Sequence, residues 1–365
     1  MSKIPLIDVK AQYAPLADEL KARFAEVLEA GQFILGSNVK AFESEAAAKL
    51  GVSHSIGVGN GTDAITLVLN ALGIGRGDEV ICPAFTFYAT AEPIAQLGAT
   101  PVFADIERET MNIDPADVAR KITPRTKAIM PVHLFGRPAK VDELKLHGLP
   151  VIEDAAQAFG ARGVAQKGIA ATFSFFPTKN LFCLGDGGLV ATNDEALAER
   201  VRMLRFHGSR DKKTFEYVGY NSRLDELQAA MLRVFLNHID RWNELRREGA
   251  ARYAELGLGD LVELPKDEPG HVYHLFCVRS PERDRFREAL AAAGIGHACH
   301  YVVPLHLQPS LAQLGYEQGD LPETEAAARE NLCVPLWAGI SREQQERVVA
   351  TLQDATAVAA ATPVP

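Results

Sequence analysis

Between about residues 55 and 200 the sequence alternates short apolar runs with amphipathic segments, and this alternation constrains the fold more than any other feature. The runs that read as strands are "HSIGVGNG", "DEVICPAFT", "TPVFADI", "TKAIMPVHLFG", "LPVIEDAAQ", "ATFSFFP" and "GGLVATN". Strands that alternate with helices predict a largely parallel sheet covered on both faces. We therefore predict an α/β fold whose ligands bind at the carboxyl ends of the strands.

The pattern changes after about residue 257. Two further runs, "HVYHLFCVRS" and "GHACHYVVPLH", read as strands and flank a helical pattern over residues 283–293. A last helical pattern covers residues 342–352. The sequence thus predicts a large domain over residues 1–245, which includes an N-terminal helical segment, and a small C-terminal α+β domain over residues 246–365.

Net charge, apolar runs and cysteine spacing exclude several kinds of binding partner and metal site. The formal net charge of −9 argues against a nucleic-acid or an anionic membrane partner. No apolar run has the length of a signal peptide or a membrane helix, so we predict a cytoplasmic protein. The five cysteines form no C-x-x-C pair, which is typical of reduced thiols. We predict no metal site, because one group of candidate ligands matches no zinc spacing: His297, Cys299, His300 and His306.

Two charged residues, Asp154 and Lys179, each follow an apolar strand run. Asp154 closes "VIED", where a carboxylate is costly unless it is paired. It either caps a helix or forms a salt bridge, or it faces a buried cation such as a protonated pyridine nitrogen. Lys179 follows "FSFFPT", although most lysines lie at the surface. Partial burial would lower the pKa of its amine and favour a nucleophilic or Schiff-base role.

A glycine-rich loop, "GVGNGTDA", precedes the first helix of the alternating region. Free N–H groups at a helix N-terminus form a phosphate site, and the hydroxyl of Ser174 could bind the same anion. The loop is no dinucleotide fingerprint, since the third glycine of G-x-G-x-x-G would fall on Thr62, and no Walker loop occurs. A plain turn with a helix cap remains the alternative for this loop alone.

These motifs belong to a collinear series that resembles one known family. The series comprises "GQFILG", "GNGTDAI", "GDEVICPAFTFYATAEPI", "GATPVFADI", "ITPRTKAIMPVHLFG", "VIEDAAQAFGA", "FSFFPTKNL", "GDGGLVATND", "GYNSRLDELQAA" and "HYVVPLHLQP". It runs from about residue 7 to residue 337 and resembles the DegT/DnrJ/EryC1/StrS family of sugar aminotransferases, which use pyridoxal phosphate (PLP). The resemblance implies the aspartate aminotransferase fold (PLP fold type I).

The resemblance also implies roles for individual residues. Lys179 and Asp154 would be the catalytic residues, one forming the Schiff base and moving protons, the other pairing with the ring nitrogen. Gln157 would lie against one face of the ring or near its hydroxyl, and Phe85 would stack on the other face. The phosphate would be held by Gly61, Thr62 and Ser174, and by Asn221 of the neighbouring subunit. The residues implied for the substrate are Arg223, Tyr301 and His306.

The activity that the resemblance implies is amination of a nucleotide-linked keto sugar, with L-glutamate as amino donor and pyridoxamine phosphate (PMP) formed during turnover. "GQFILG" and "HLFGRPA" resemble members of the family that aminate C3 more than those that act at C4, which implies a dTDP- or UDP-linked 3-keto hexose. The shared phosphate site implies a homodimer. The alternatives are a C4 or cyclitol aminotransferase, a PLP-dependent sugar dehydratase and a non-catalytic sensor of the same fold. Lys179 argues against the dehydratases, which usually carry His at that position.

Two features leave the specificity open. Arg223 either contacts the substrate or forms a structural ion pair with Asp225 or Glu226. Phe182 and Cys183 stand where the family usually has small residues, a difference that would reshape the sugar pocket.

Overall fold

The computed structural model describes residues 3–361, and side chains as far as residue 357. Three helices, α1 (Val9–Tyr13), α2 (Ala17–Ala30) and α3 (Ser37–Leu50), precede the alternating region. Strands and helices then follow in the order β1 (His54–Val58), α4 (Gly61–Ala71), β2 (Glu79–Pro83), α5 (Glu92–Gln96), β3 (Thr100–Ala104), α6 (Pro115–Lys121), β4 (Thr126–Ile129), α7 (Val141–Lys145), β5 (Ile152–Asp154), β6 (Ala170–Ser174), β7 (Gly188–Thr192) and α8 (Glu195–Leu204).

The rest of the described chain is mainly helical. Its elements are α9 (Glu226–Leu236), α10 (Ile239–Glu255), β8 (Phe276–Arg279), α11 (Arg283–Ala292), α12 (Pro322–Glu330), β9 (Asn331–Val334) and α13 (Arg342–Ala361). Short 3-10 helices lie at Ala14–Leu16, Tyr88–Thr90, Leu134–Gly136, Leu258–Asp260, Leu305–Leu307 and Pro309–Leu314. None of the helices within residues 3–361 is long and apolar enough to cross a membrane.

The first seven strands form one layer. Strands are hydrogen-bonded in the orders β1-β7-β6-β5 and β3-β2-β4. Single parallel bridges, Ile129 with Val151 and Val132 with Asp154, join the two groups. Only β7 runs antiparallel to its neighbours, and the other pairings are parallel. The prediction of a largely parallel α/β sheet is therefore confirmed, and β1, β5 and β6 end at the same edge.

Both faces of this sheet are buried, as the alternation of side chains along β7 shows. Leu189 and Ala191 join an apolar cluster built with residues of α2, α3 and α9. Val190, which points the other way, joins a second cluster with residues of α4 and α8. A sheet covered by helices on both faces leaves its carboxyl edge as the place for a ligand.

The C-terminal part has an apolar cluster of its own. It gathers side chains from α10, α11, α13 and the β8–β9 pair, together with Ile4 from the N-terminal end. The predicted domain boundary at residue 245 falls within α10 and stays a prediction.

One sequence-based expectation about an element in this part of the chain is wrong. The "GHACHYVVPLH" run is not a strand: only Ala298 pairs, with Cys333, and Val302 and Val303 are exposed in a turn before Pro304. Strand β9, which the sequence analysis missed, pairs with β8 instead. Helices α9 and α10 follow one another closely and are separated at Asn237 and His238.

Candidate active site

Three sequence motifs meet at the carboxyl edge of the sheet. Asp154 and Ser174 are the last residues of β5 and β6, and Gly61 opens α4 just after β1. Gly61 lies so close to Ser174 that a Cβ on residue 61 would sit 2.7 Å from the Cβ of Ser174. The fold thus brings the glycine loop and the two strand ends together, as the sequence predicts.

The start of α4 is arranged to bind an anion. Asn60 caps the helix, and its side-chain oxygen accepts the N–H of Asp63 at 2.8 Å. The N–H groups of Gly61 and Thr62 donate to no other residue within the described chain. Glycine at position 61 keeps the space beside Ser174 free of a side chain. Two unpaired N–H groups at a helix N-terminus fit a phosphate group.

Asp154 is buried at the end of β5. One carboxylate oxygen accepts the hydroxyl of Thr90 at 2.8 Å, and the other accepts the N–H of Ala156 at 3.2 Å. Burial raises the pKa of Asp154, although these hydrogen bonds and the charge of Lys179 act in the opposite direction. A carboxylate in such a position is stabilised by a cation placed against it, and a protonated ring nitrogen fits this requirement.

Lys179 lies five residues beyond the end of β6. Its backbone N–H donates to the carbonyl of Phe176 at 2.9 Å, and its amine bonds to no other residue of the described chain. Burial lowers the pKa of Lys179 to about 8, and Asp154 opposes the shift. The amine therefore has a substantial neutral fraction near neutral pH and is free to react with an aldehyde.

The residue after the lysine holds this backbone in place. The side-chain amide of Asn180 donates to Asn243 at 2.7 Å and to the carbonyl of Val272 at 2.9 Å. Two histidines that the sequence analysis did not assign to the site, His274 and His300, lie near Lys179. Burial lowers their pKa values, and the charge of Lys179 adds to this effect.

The neighbouring carboxylate, Glu153, has a different environment. One of its oxygens is 2.8 Å from Nε2 of His133, and its oxygens also accept the N–H groups of Ala165 and Gly168. Burial by itself would raise the pKa of Glu153, but these partners outweigh burial and hold the pKa below its usual value. Glu153 is thus a fully paired structural residue, whereas Asp154 is placed for a ligand.

An aromatic wall lines the site beside Asp154. The amide of Gln157 donates to the hydroxyl of Tyr301 at 3.2 Å and accepts the N–H of Phe135 at 2.6 Å. Phe85 is fully buried, 0% exposed, with its ring edge-on to Phe135 and Tyr301. Phe87 is 59% exposed and lies 6.2 Å from the ring of Tyr301. Phe87 therefore has the open face that Phe85 lacks.

The other predicted site residues differ in their exposure and in their contacts. Asn221 is exposed, and Arg223 lies 5.9 Å over the ring of Phe206 rather than in an ion pair with a described acid. His306 is only 2% exposed, and its Nε2 is 3.3 Å from Glu325. No described residues form a group of three or more His, Cys, Asp or Glu side chains that could hold a metal.

Phe182 and Cys183 do not face the site edge. Phe182 is fully buried and stacks 4.6 Å from Phe235 and 5.9 Å from Trp242. Cys183 is also fully buried, and its N–H donates to Phe175. Any effect of these two side chains on a sugar pocket is therefore indirect.

Comparison with known proteins identifies the family of this chain and the type of reaction that the site performs. The model of the DegT/DnrJ/EryC1/StrS aminotransferase family matches residues 15–353. The crystal structure of S. venezuelae DesV in complex with a ketimine intermediate shares 44% identity, with a TM-score of 0.94 over 100% of both chains. The protein is therefore an aminotransferase that uses PLP, and the predictions of fold type and cofactor are confirmed. It belongs to the DegT/DnrJ/EryC1/StrS aminotransferase family.

Curated relatives match the chain over almost its whole length. A pleiotropic regulatory protein from Geobacillus stearothermophilus is 50% identical over 359 residues, 95% of this chain and 96% of its own. The dTDP-3-amino-3,4,6-trideoxy-alpha-D-glucose transaminase of Streptomyces venezuelae is 44% identical over 365 residues, 96% of each chain. The UDP-N-acetyl-3-dehydro-alpha-D-glucosamine 3-aminotransferase of Acidithiobacillus ferrooxidans is 43% identical over 360 residues, 96% of this chain and 97% of its own.

Proposed function

We propose that the protein converts a dTDP- or UDP-linked 3-keto hexose into the corresponding amino sugar, with L-glutamate as the amino donor. The single observation that carries the reaction is the amine of Lys179, which bonds to no other described residue and whose charge interacts with the buried carboxylate of Asp154. The substrate class rests on relatives at 44% and 43% identity that are named for 3-amino sugars on both nucleotides. We also propose that the protein acts in the cytoplasm.

We assign the following roles within this proposal. When bound, PLP supplies an electron sink that makes a proton on the amine-bearing carbon removable. The amine of Lys179 accepts and returns that proton, and Asp154 holds the ring nitrogen protonated. The N–H groups of Gly61 and Thr62 hold the phosphate together with Ser174. Phe87, rather than Phe85, is the aromatic residue that we place against the ring.

A panel of substrates tests the proposed function. The PLP-loaded protein is incubated with L-glutamate and, separately, with 3-keto and 4-keto hexoses linked to dTDP and UDP, and the products are separated by mass. We expect an amino sugar from a 3-keto substrate on one of the two nucleotides. A product only from 4-keto sugars, or only from a free cyclitol ketone, would replace the proposed position of amination with one of these alternatives.

The regulatory name of the relative at 50% identity favours one further candidate, a sensor that retains the fold without turnover. A sensor could bind PLP, but it would have no need for a reactive amine next to the ring. Adding L-glutamate separates the two functions, because an aminotransferase converts its PLP to PMP and releases 2-oxoglutarate. A PLP spectrum that does not change with glutamate would support the sensor.

The low pKa of Lys179 gives an expected pH dependence. Only the neutral amine can capture PLP, and burial lowers its pKa to about 8. The rate of PLP capture by the apoprotein should therefore rise by about tenfold per unit between pH 6 and 7 and level off above about pH 8. Stopped-flow absorbance on mixing apoprotein with PLP measures this rate. A rise that continued to pH 10 would indicate an ordinary exposed lysine.

The contact between Gly61 and Ser174 predicts how a side chain at position 61 affects the cofactor. In Gly61→Ala the new Cβ would lie 2.7 Å from Ser174, so one of them must shift within the phosphate cradle. We expect the Kd for PLP to rise by about tenfold or more. Gly75→Ala is the matched control, because its Cβ would meet only the carbonyl of Leu97 at 3.5 Å. Equal affinities in a PLP titration would show that the loop does not bind the phosphate.

We also propose that the protein is a homodimer with shared active sites. Asn221 is exposed. Several large apolar side chains are exposed as well, and their contact with water is unfavourable in a monomer: Phe33, Ile34, Phe176, Leu184 and Phe215. Phe176 and Leu184 flank Lys179 in the sequence, so this apolar surface adjoins the site. A partner subunit that covers it could place its own Asn221 at the phosphate.

Mixing two inactive variants tests whether the sites are shared. In a heterodimer of Lys179→Ala and Asn221→Ala, one site carries both substitutions and the other carries neither. Refolding the two variants together should therefore restore about one quarter of the wild-type activity at limiting PLP, because half of the dimers are mixed and each has one intact site. If each subunit used its own Asn221, the mixture would be no more active than the separate variants.

A further inference from the structure

Three of the five cysteines lie close together in the C-terminal part, where no catalytic role is assigned to them. Cys277 of β8 and Cys333 of β9 are directly opposite each other in the strand register. Residues opposed in an antiparallel pair project from the same face of the sheet. Their face carries the apolar cluster that also contains Phe85 and Phe135 and packs against Tyr301. Cys299 instead packs against the cluster on the other face, with α11 and α13.

The backbone hydrogen bonds define the type of this pair. The N–H of Cys333 donates to the carbonyl of Ala298 at 2.7 Å, and its carbonyl accepts the N–H of Ala298 at 3.2 Å. Because both backbone groups of Cys333 point towards Ala298, its pairing with Cys277 is of the non-hydrogen-bonded type. The Cα atoms of such pairs are about 4.5 Å apart, within the range of about 4.4–6.8 Å that a disulfide spans.

We propose that Cys277 and Cys333 are an oxidisable pair that forms a disulfide across β8 and β9. The oxidant is a hydroperoxide, which is small enough to reach a buried thiol. One thiolate attacks the peroxide O–O bond and becomes a sulfenic acid, and the reduced oxygen leaves as water. The second thiol then attacks the sulfenic sulfur and releases another water. Overall, two thiols and one hydrogen peroxide give one disulfide and two waters.

The surroundings make this oxidation slow but selective. Both thiols are buried, and the contact with Cys277 together with burial raises the pKa of Cys333 well above its usual value. The reaction therefore waits for a small thiolate fraction or for a local opening of the two strands. The disulfide would link β9 to β8 on the face of the strand pair that packs against Phe85, Phe135 and Tyr301 of the active site.

Peptide mapping provides the test, because trypsin places each cysteine in a separate peptide. The PLP-loaded protein is treated with hydrogen peroxide, the remaining thiols are blocked in denaturant, and the digest is analysed without reductant. Cys277 falls in residues 267–279, Cys333 in 330–342 and Cys299 in 288–329. We expect peptide 267–279 linked to peptide 330–342, with the link removed by dithiothreitol. Sulfinic or sulfonic acids without that link, or links to Cys299 in equal yield, would overturn the proposal.

Two variants and a stability measurement sharpen the test. Cys333→Ser should abolish the link, and the matched control Cys299→Ser should leave its rate unchanged, since Cys299 lies on the other face. If Cys333→Ser does not fold, Cys277→Ser replaces it. Closing a loop of this length should raise the Tm of the wild-type protein by about 5 °C after oxidation. The proposal fails if a link-free Cys333→Ser protein shows the same rise in Tm.

Discussion

Replacing Lys179 with alanine should lower kcat for transamination by about 10⁴-fold or more, because the site then lacks its nucleophile and its proton-transfer group. The amine of Lys179 bonds to no other residue of the described chain, so no structural contact replaces its function. Steady-state assays with L-glutamate and the best keto sugar of the panel measure the loss. The Tm of the apoprotein should stay close to the wild-type value, because a half-buried cation is removed without breaking a hydrogen bond.

The control for this variant is Lys167→Ala. Lys167 is exposed and paired with Asp142, so its loss should leave turnover unchanged. Added methylamine gives a second check, since a small amine that enters the vacated space can carry the proton and partly restore Lys179→Ala. A merely structural lysine would not be rescued in this way. A Lys179→Ala protein that turned over within about tenfold of the wild type would contradict the mechanism.

Much of this site follows from the sequence for a physical reason. Parallel strands bring their carboxyl ends to one edge, so Asp154, Ser174 and the Gly61 loop had to converge once the strands were recognised. The apolar setting of Lys179 in turn predicted a lowered pKa, which its burial in the fold produces. These inferences need only the order of the strands and the side-chain types that follow them.

The sequence leaves the direction of the side chain open at two of the predicted site residues. Phe85 and Phe87 both lie in "FTF", and the sequence does not show which ring faces the core, because the chain leaves strand geometry after Pro83. His306 looked like a pocket residue, but Glu325 of α12 holds its ring in the interior, a long-range contact that no local pattern reveals. Of Phe85 and Phe87, only the structure shows which ring is exposed and can therefore contact a ligand.

The adjacent carboxylates Glu153 and Asp154 should respond in opposite ways to amide substitution. Glu153→Gln removes the charge that accepts hydrogen bonds from His133 and from two backbone N–H groups, and weakening these buried hydrogen bonds costs about 2 kcal/mol. Because the folded-state pKa of Glu153 lies below its unfolded value, its ionisation stabilises the fold near neutral pH, and this contribution disappears as the pH falls through the folded pKa. The variant should lose Tm but keep its kcat per folded molecule.

Asp154→Asn should do the reverse. Burial raises the pKa of Asp154, so its charge costs folding free energy in the apoprotein, and a neutral amide of the same shape should leave the apoprotein Tm unchanged or higher. The amide can still accept the Thr90 hydroxyl, but it cannot keep a ring nitrogen protonated. We therefore expect kcat to fall by about 10²–10³-fold, measured beside Glu153→Gln at saturating PLP. If instead Asp154→Asn lost Tm and kept its kcat, Asp154 would be a structural carboxylate like its neighbour.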